Sequence, residues 1–130
     1  MSPAHAVALY LASQGVGTFG GSASWSINVS REPVSPVDAV TLYDTGGPGP
    51  DTDDMDVFFN TFQVRVRSAN YASAHSKQEQ IRGLLLAHPS FLHEDVRYAV
   101  NMETDIMHLG RDDNDRHLLT ANYRVISQEG

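Results

Sequence analysis

The stretch 57-VFFNTFQVRVR-67 decides the fold, because apolar and polar side chains alternate along its second half. The alternating side chains form two sets, apolar Phe62, Val64 and Val66 and polar Gln63, Arg65 and Arg67. This two-residue period is typical of a β-strand with one buried side. We therefore predict a strand over residues 57–67, with its apolar side facing the core.

The residues after this strand predict a helix and then a hairpin. Residues 71–88 carry apolar side chains at helical spacing, and Pro89 ends the pattern. Residues 98–109 and 117–126 both alternate as strands do. Because the segment 110–116 between them is polar, we expect an antiparallel hairpin with an extended turn.

The beginning of the chain predicts a short helix with a glycine-rich exit. Residues Pro3–Ser13 have helical spacing, with Ser2 as N-cap and Pro3 in the first turn. The glycines of residues 15–21 follow this helix, whereas a phosphate-binding loop precedes one. We therefore interpret them as a turn or linker.

Two further strands and a loop are predicted before residue 57. Residues 24–30 alternate with Trp25 on the apolar side, and residues 39–43 form another short strand. Residues 44–56 are rich in Gly, Pro and Asp, which indicates a long acidic loop. The sequence predicts one α+β domain over residues 1–130, a mainly antiparallel (mixed) sheet of about four to five strands flanked by two helices.

Composition excludes several classes of function. The net charge of −7 and the pI of 5.1 argue against binding through DNA phosphates as the main role. With no cysteine, the chain has no thiol catalysis, thiolate metal site or disulfide. The first sixteen residues resemble neither a signal peptide nor a membrane helix, so we expect no membrane association.

Two acidic clusters are the candidates for a cation site. They are Asp51, Asp53, Asp54 and Asp56 in the first loop and Asp112, Asp113 and Asp115 in the hairpin turn. Hard cations prefer oxygen ligands, and a metal-dependent phosphohydrolase or nuclease drawing on both loops is one hypothesis. However, the first cluster lacks the glycine and glutamate of a calcium-binding EF-hand loop. We interpret both as solvated loops, with no metal and no cofactor.

No catalytic centre is visible, and we predict that the chain is not an enzyme. The histidines lack a paired zinc spacing, and the serines lack a nucleophile elbow. Arg65 and Arg67 leave two interpretations open: a solvated sheet face, or salt bridges at an oligomer interface.

Several segments together resemble the bacteriophage minor capsid and tail-terminator family. They are 9-LYLASQGVG-17, 43-YDTGG-47, 62-FQVRVR-67 followed by Tyr71 and Ala74, and 109-LGRD-112 with Arg116. The resemblance implies a non-catalytic virion protein that closes the tail tube as a hexameric ring and joins it to the head connector. A stopper or connector of the same neck is the alternative.

The resemblance also implies partners and a location. The partners are further copies of the chain, the tail tube protein and a head connector or stopper, while DNA passes an acidic lumen without specific binding. The location is the tail or neck of the virion, after assembly in the host cytoplasm. Loops flanking the sheet would make the contacts, and we predict these interface residues: Asp51, Asp53, Asp54, Asp56, Arg65, Arg67, Arg111, Asp112, Asp113 and Arg116.

Overall fold

The computed structural model describes residues 2–50, 56–87 and 90–129. Over these residues the chain forms two helices and one seven-stranded sheet. The helices are α1 (Pro3–Ser13) and α2 (Tyr71–Ala87), and the strands are β1 (Thr18–Phe19), β2 (Ser26–Val29), β3 (Ala39–Pro50), β4 (Val57–Ser68), β5 (Phe91–His93), β6 (Val96–Arg111) and β7 (His117–Glu129). Neither helix in this part of the chain is long and apolar enough to cross a membrane.

The sheet is mixed, and its strand order is β1-β2-β3-β4-β7-β6-β5. The strands β1, β2 and β3 run parallel, and every other pairing is antiparallel. The prediction of an α+β fold with one mainly antiparallel sheet is confirmed. The expected four to five strands were too few, because β1 and β5 have only two and three residues and show no period.

The core lies between the helices and one face of the sheet. The inward side predicted for β4 is confirmed, since Phe62, Val64 and Val66 are fully buried. From α2, the buried Gln78 Nε2 donates to the carbonyl oxygens of Val64 at 3.0 Å and Leu119 at 2.9 Å. This side chain therefore ties α2 to the two central strands.

Two side chains fix the start of α1. The Ser2 hydroxyl accepts from the His5 amide at 3.2 Å, which confirms the predicted N-cap. The Asp44 carboxylate accepts from the Ala4 amide at 3.0 Å, and a negative charge is favourable at a helix N-terminus. Asp44 belongs to β3, so this contact anchors the helix to the sheet.

The prediction of a loop over residues 44–56 was wrong in its first part, because β3 continues to Pro50. Register shifts interrupt its pairing with β4, and Gly46, Gly47 and Gly49 have φ between +88° and +107°. At Gly47 a Cβ would lie 2.8 Å from the Asn60 Cα, so only glycine fits. Residues 44–50 have a composition that is typical of loops, and pairing with β4 keeps them in a strand.

The alternation over residues 24–30 placed Trp25 inside a strand, which the structure corrects. Trp25 has φ of +59° and precedes β2. Its partly buried ring packs against the core, and Lys77 Nζ of α2 lies 4.8 Å from the ring centroid. The Lys77 ammonium also donates to the Val16 carbonyl at 2.9 Å, so this pair fastens the glycine-rich segment to α2.

Replacing Tyr123 by Phe is expected to raise the free energy of unfolding by about 1 kcal/mol. Tyr123 is fully buried, and its hydroxyl has no hydrogen-bond partner among the described residues. Burial also raises the pKa of this hydroxyl. Urea unfolding compared with Tyr71→Phe, whose side chain is exposed, provides the check. A loss of stability in Tyr123→Phe would contradict the expectation.

Candidate functional site

The face of the sheet that carries no helix is the candidate interaction surface. On β4 it presents the odd-numbered residues from Phe59 to Arg67, which pair on β7 with the even-numbered residues from Ile126 to Leu118. Gln63 Nε2 donates to Asn122 Oδ1 at 3.2 Å across this pairing. The face is therefore polar at its centre, and its two ends differ.

One end of this face is covered by residues 31–38, which we call the clamped loop. Arg67 is only 2% exposed, although the alternation allowed a solvated position. Its guanidinium donates to the carbonyl oxygens of Val37 at 3.1 Å and Pro36 at 2.7 Å, and to Glu32 Oε1 at 3.1 Å. For Arg67 the solvated interpretation is wrong, because a segment distant in sequence folds over it.

Arg65 contributes to the same contact more weakly. Its guanidinium lies 3.8 Å from Glu32 Oε2 and stacks over the Tyr43 ring, with 5.5 Å from Cζ to the ring centroid. The Arg65 side chain keeps 31% of its surface exposed. The structure thus brings Arg65 and Arg67 together on one carboxylate within a single chain.

The turn between β6 and β7 holds the clamped loop from a second direction. Arg116 donates through Nε to Asp112 Oδ2 at 2.7 Å and through a terminal nitrogen to the Val34 carbonyl at 3.2 Å. Asp112 Oδ1 accepts from the amides of Asn114 and Arg116, and these bonds lower the pKa of the carboxyl, the Arg116 amide most. The predicted polar turn is confirmed, and it is ordered by its own side chains.

The other predicted residues of this turn stay at the surface. Arg111 pairs with Asp115 at 2.9 Å, and both side chains are more than half exposed. Such a pair contributes little to stability in water. Asp113 is exposed beside them.

Of the first acidic cluster the structure describes only Asp56, which directly precedes β4, whereas Asp51, Asp53 and Asp54 lie outside the described residues. Along β4 and β7, Val57 pairs with Gln128 and Ser68 pairs with His117, so Asp56 and the hairpin turn lie at opposite ends of a twelve-residue strand. That strand spans about 36 Å at the usual rise per residue. Asp56 is therefore too far from the carboxylates of the turn to share a cation with them within one chain.

Two histidines contact each other outside these surfaces. His108 Nε2 lies 3.2 Å from His117 Nδ1, and the Tyr71 ring packs edge-on against both. Within the described ranges, no group of three or more His, Asp or Glu is arranged to hold a metal. The pair joins the two strands of the hairpin to the start of α2.

The opposite end of the helix-free face is a groove of about 540 Å³, which we call the sheet groove. Pro48, Phe59 and Ile126 supply its apolar lining, and Ile126 is 39% exposed. Glu103 and Arg124 add charge at its edge. Sequence reasoning missed both this groove and the clamped loop, because neither is formed by neighbouring residues.

Comparison with known families identifies the class of this chain. A family model described as bacteriophage tail terminator protein matches residues 10–129. The chain is a structural protein of the bacteriophage tail. It belongs to the bacteriophage tail terminator protein family, as the resemblance of its segments indicated. No individual curated protein matches the sequence.

Proposed function

We propose that this chain ends growth of the tail tube by forming a hexameric ring on the last ring of the tube and offering its other side to the head connector. Membership of the tail terminator family over residues 10–129 is the observation that carries the proposal. The protein would act in the tail or neck of the virion, after assembly in the host cytoplasm.

The contact residues within this proposal come from the loops around the sheet. Arg111 and Asp113 are exposed at the tip of the hairpin, and Asp56 lies at the opposite end of β4. Residues at both ends of the sheet can contact different neighbours, as a subunit between tube and connector requires. The partly exposed Arg65 is a further candidate, whereas Arg67 and Arg116 would act by holding the clamped loop. Asp51, Asp53, Asp54 and Asp112 complete the predicted interface.

The net charge of −7 fits a ring through which DNA passes without binding. Like charges repel, and this repulsion is strongest within about 10 Å at ordinary salt. Carboxylates lining a lumen would keep the duplex from adhering.

Particles made without the protein test the proposal. Loss of a tail terminator is expected to give overlong tails without heads, measured as a tail-length distribution by negative-stain microscopy. Complementation with the wild-type chain should restore the normal length. Tails of normal length beside filled heads that leak DNA would instead support a stopper or connector.

The oligomeric part of the proposal has a separate measurement. Light scattering of the purified protein, alone and mixed with tail tubes, is expected to show hexamers or rings on tube ends. A stable monomer that does not bind tubes would overturn the ring while leaving family membership intact.

A further inference from the structure

We propose that the clamped loop of one copy docks through Val34 into the sheet groove of the next copy. This inference rests on the proposed ring and names the contact that would build it. The occupant of the groove is therefore a second copy of this chain.

The clamped loop presents an apolar side chain on a fixed backbone. Val34 is 89% exposed and Val37 is 44% exposed, which is unusual for a loop held so firmly. Arg116 binds the Val34 carbonyl, and Arg67 binds the carbonyls of Pro36 and Val37. Because the loop is already ordered, docking would lose little conformational entropy.

The sheet groove offers a matching apolar surface. Phe59 and Ile126 pair across β4 and β7 on the helix-free face, and Pro48 lies at the groove's β3 side. No described residue fills its space of about 540 Å³, which is ample for a valine side chain with its neighbouring prolines. The same face already binds this loop at its other end, through Arg65 and Arg67.

The clamped loop of a chain cannot reach the sheet groove of the same chain. The loop is anchored at Arg67, and the groove begins at Phe59, eight residues earlier on the same strand. At the rise of a β-strand this separation is about 26 Å. The clamped loop and the sheet groove are different surfaces, so their contact is heterologous and repeats from copy to copy until a ring closes.

Exposed charges border both surfaces. Arg31 is exposed beside Val34, and the exposed Glu103 and Arg124 line the groove. Among the described residues, none of these three side chains forms an ion pair. These charges favour the register that brings Arg31 to Glu103 and keeps it away from Arg124, since charged rims favour correct orientation more than affinity.

Cysteine cross-linking tests the contact directly, because the natural chain has no cysteine. The variant Val34→Cys/Ile126→Cys is oxidised during assembly, and its products are separated by denaturing gel electrophoresis without reductant. A disulfide requires Cα atoms about 4.4–6.8 Å apart, so only a docked pair should react efficiently. We expect the monomer band to be replaced by a ladder of disulfide-linked oligomers that ends at the number of subunits in the ring. Both positions are exposed, so folding should be preserved and is checked by circular dichroism.

The matched control is Val34→Cys/Leu92→Cys, since Leu92 is 61% exposed and outside the groove. This control and the two single-cysteine variants should give no ladder. Rings by light scattering without a ladder from the Val34 and Ile126 pair would overturn this contact but not the proposed function. Absence of rings both in solution and on tail tubes would overturn both.

Discussion

Replacing Arg67 by Ala is expected to lower the free energy of unfolding by about 2–4 kcal/mol. The guanidinium is almost fully buried and makes three hydrogen bonds, to Glu32 Oε1 and to the carbonyls of Pro36 and Val37. Its removal leaves a partly buried carboxylate and two carbonyls without this donor. Urea unfolding monitored by circular dichroism measures the loss.

Two further variants separate the role of the guanidinium hydrogen bonds from that of the positive charge. Arg67→Lys keeps the charge but cannot reach all three acceptors, so an intermediate loss is expected. Arg97→Ala removes an exposed arginine whose one side-chain partner among the described residues is the Ser90 hydroxyl, and its effect should stay within about 0.5 kcal/mol. Equal effects of Arg67→Ala and Arg97→Ala would show that the clamp does not hold the loop.

Replacing Phe62 by Ala is expected to lower the free energy of unfolding by about 3–5 kcal/mol. Phe62 is fully buried on the helix face of β4 and stacks on Tyr123 with ring centroids 5.3 Å apart. The change removes this contact and leaves a cavity that rigid strands cannot close. Denaturant unfolding with an unchanged m-value provides the measurement.

Phe62→Leu is the matched variant, because it keeps most of the apolar volume. Its expected loss is about 1–1.5 kcal/mol. Phe19→Ala controls for the loss of an aromatic ring near the surface, since Phe19 is 40% exposed. A loss for Phe62→Ala no larger than that for Phe19→Ala would contradict the position of Phe62 in the core.

The longest elements could be predicted because apolar and polar side chains repeat along them with the period of a strand or a helix. Strand β4, helix α2 and strand β7 each bury one side along much of their length, so their pattern is visible locally. The second half of β3 could not be predicted, because Gly46–Pro50 has neither period nor strand propensity. Its hydrogen bonds come from β4, a partner that a sequence window does not include.

The sequence predicted only those parts of the candidate site that are built by residues close together in the chain. The turn at Asp112 and Arg116 is built by residues four apart, and its polar composition predicted it. The burial of Arg67 depends on Pro36, which lies 31 residues away, so alternation alone left a solvated face and an oligomer interface as the two interpretations of that side chain. The sheet groove needs β3, β4, β6 and β7 together, and no single segment indicates it.

The edge formed by the second half of β3 has a consequence for how the protein survives at high concentration. No described strand pairs with its outer side beyond Leu42, and this edge carries positive-φ glycines at Gly46, Gly47 and Gly49 with prolines at Pro48 and Pro50. Such a backbone cannot offer the regular ladder of donors and acceptors that recruits a foreign strand. We therefore expect this edge to resist strand-to-strand aggregation even when no neighbouring subunit covers it.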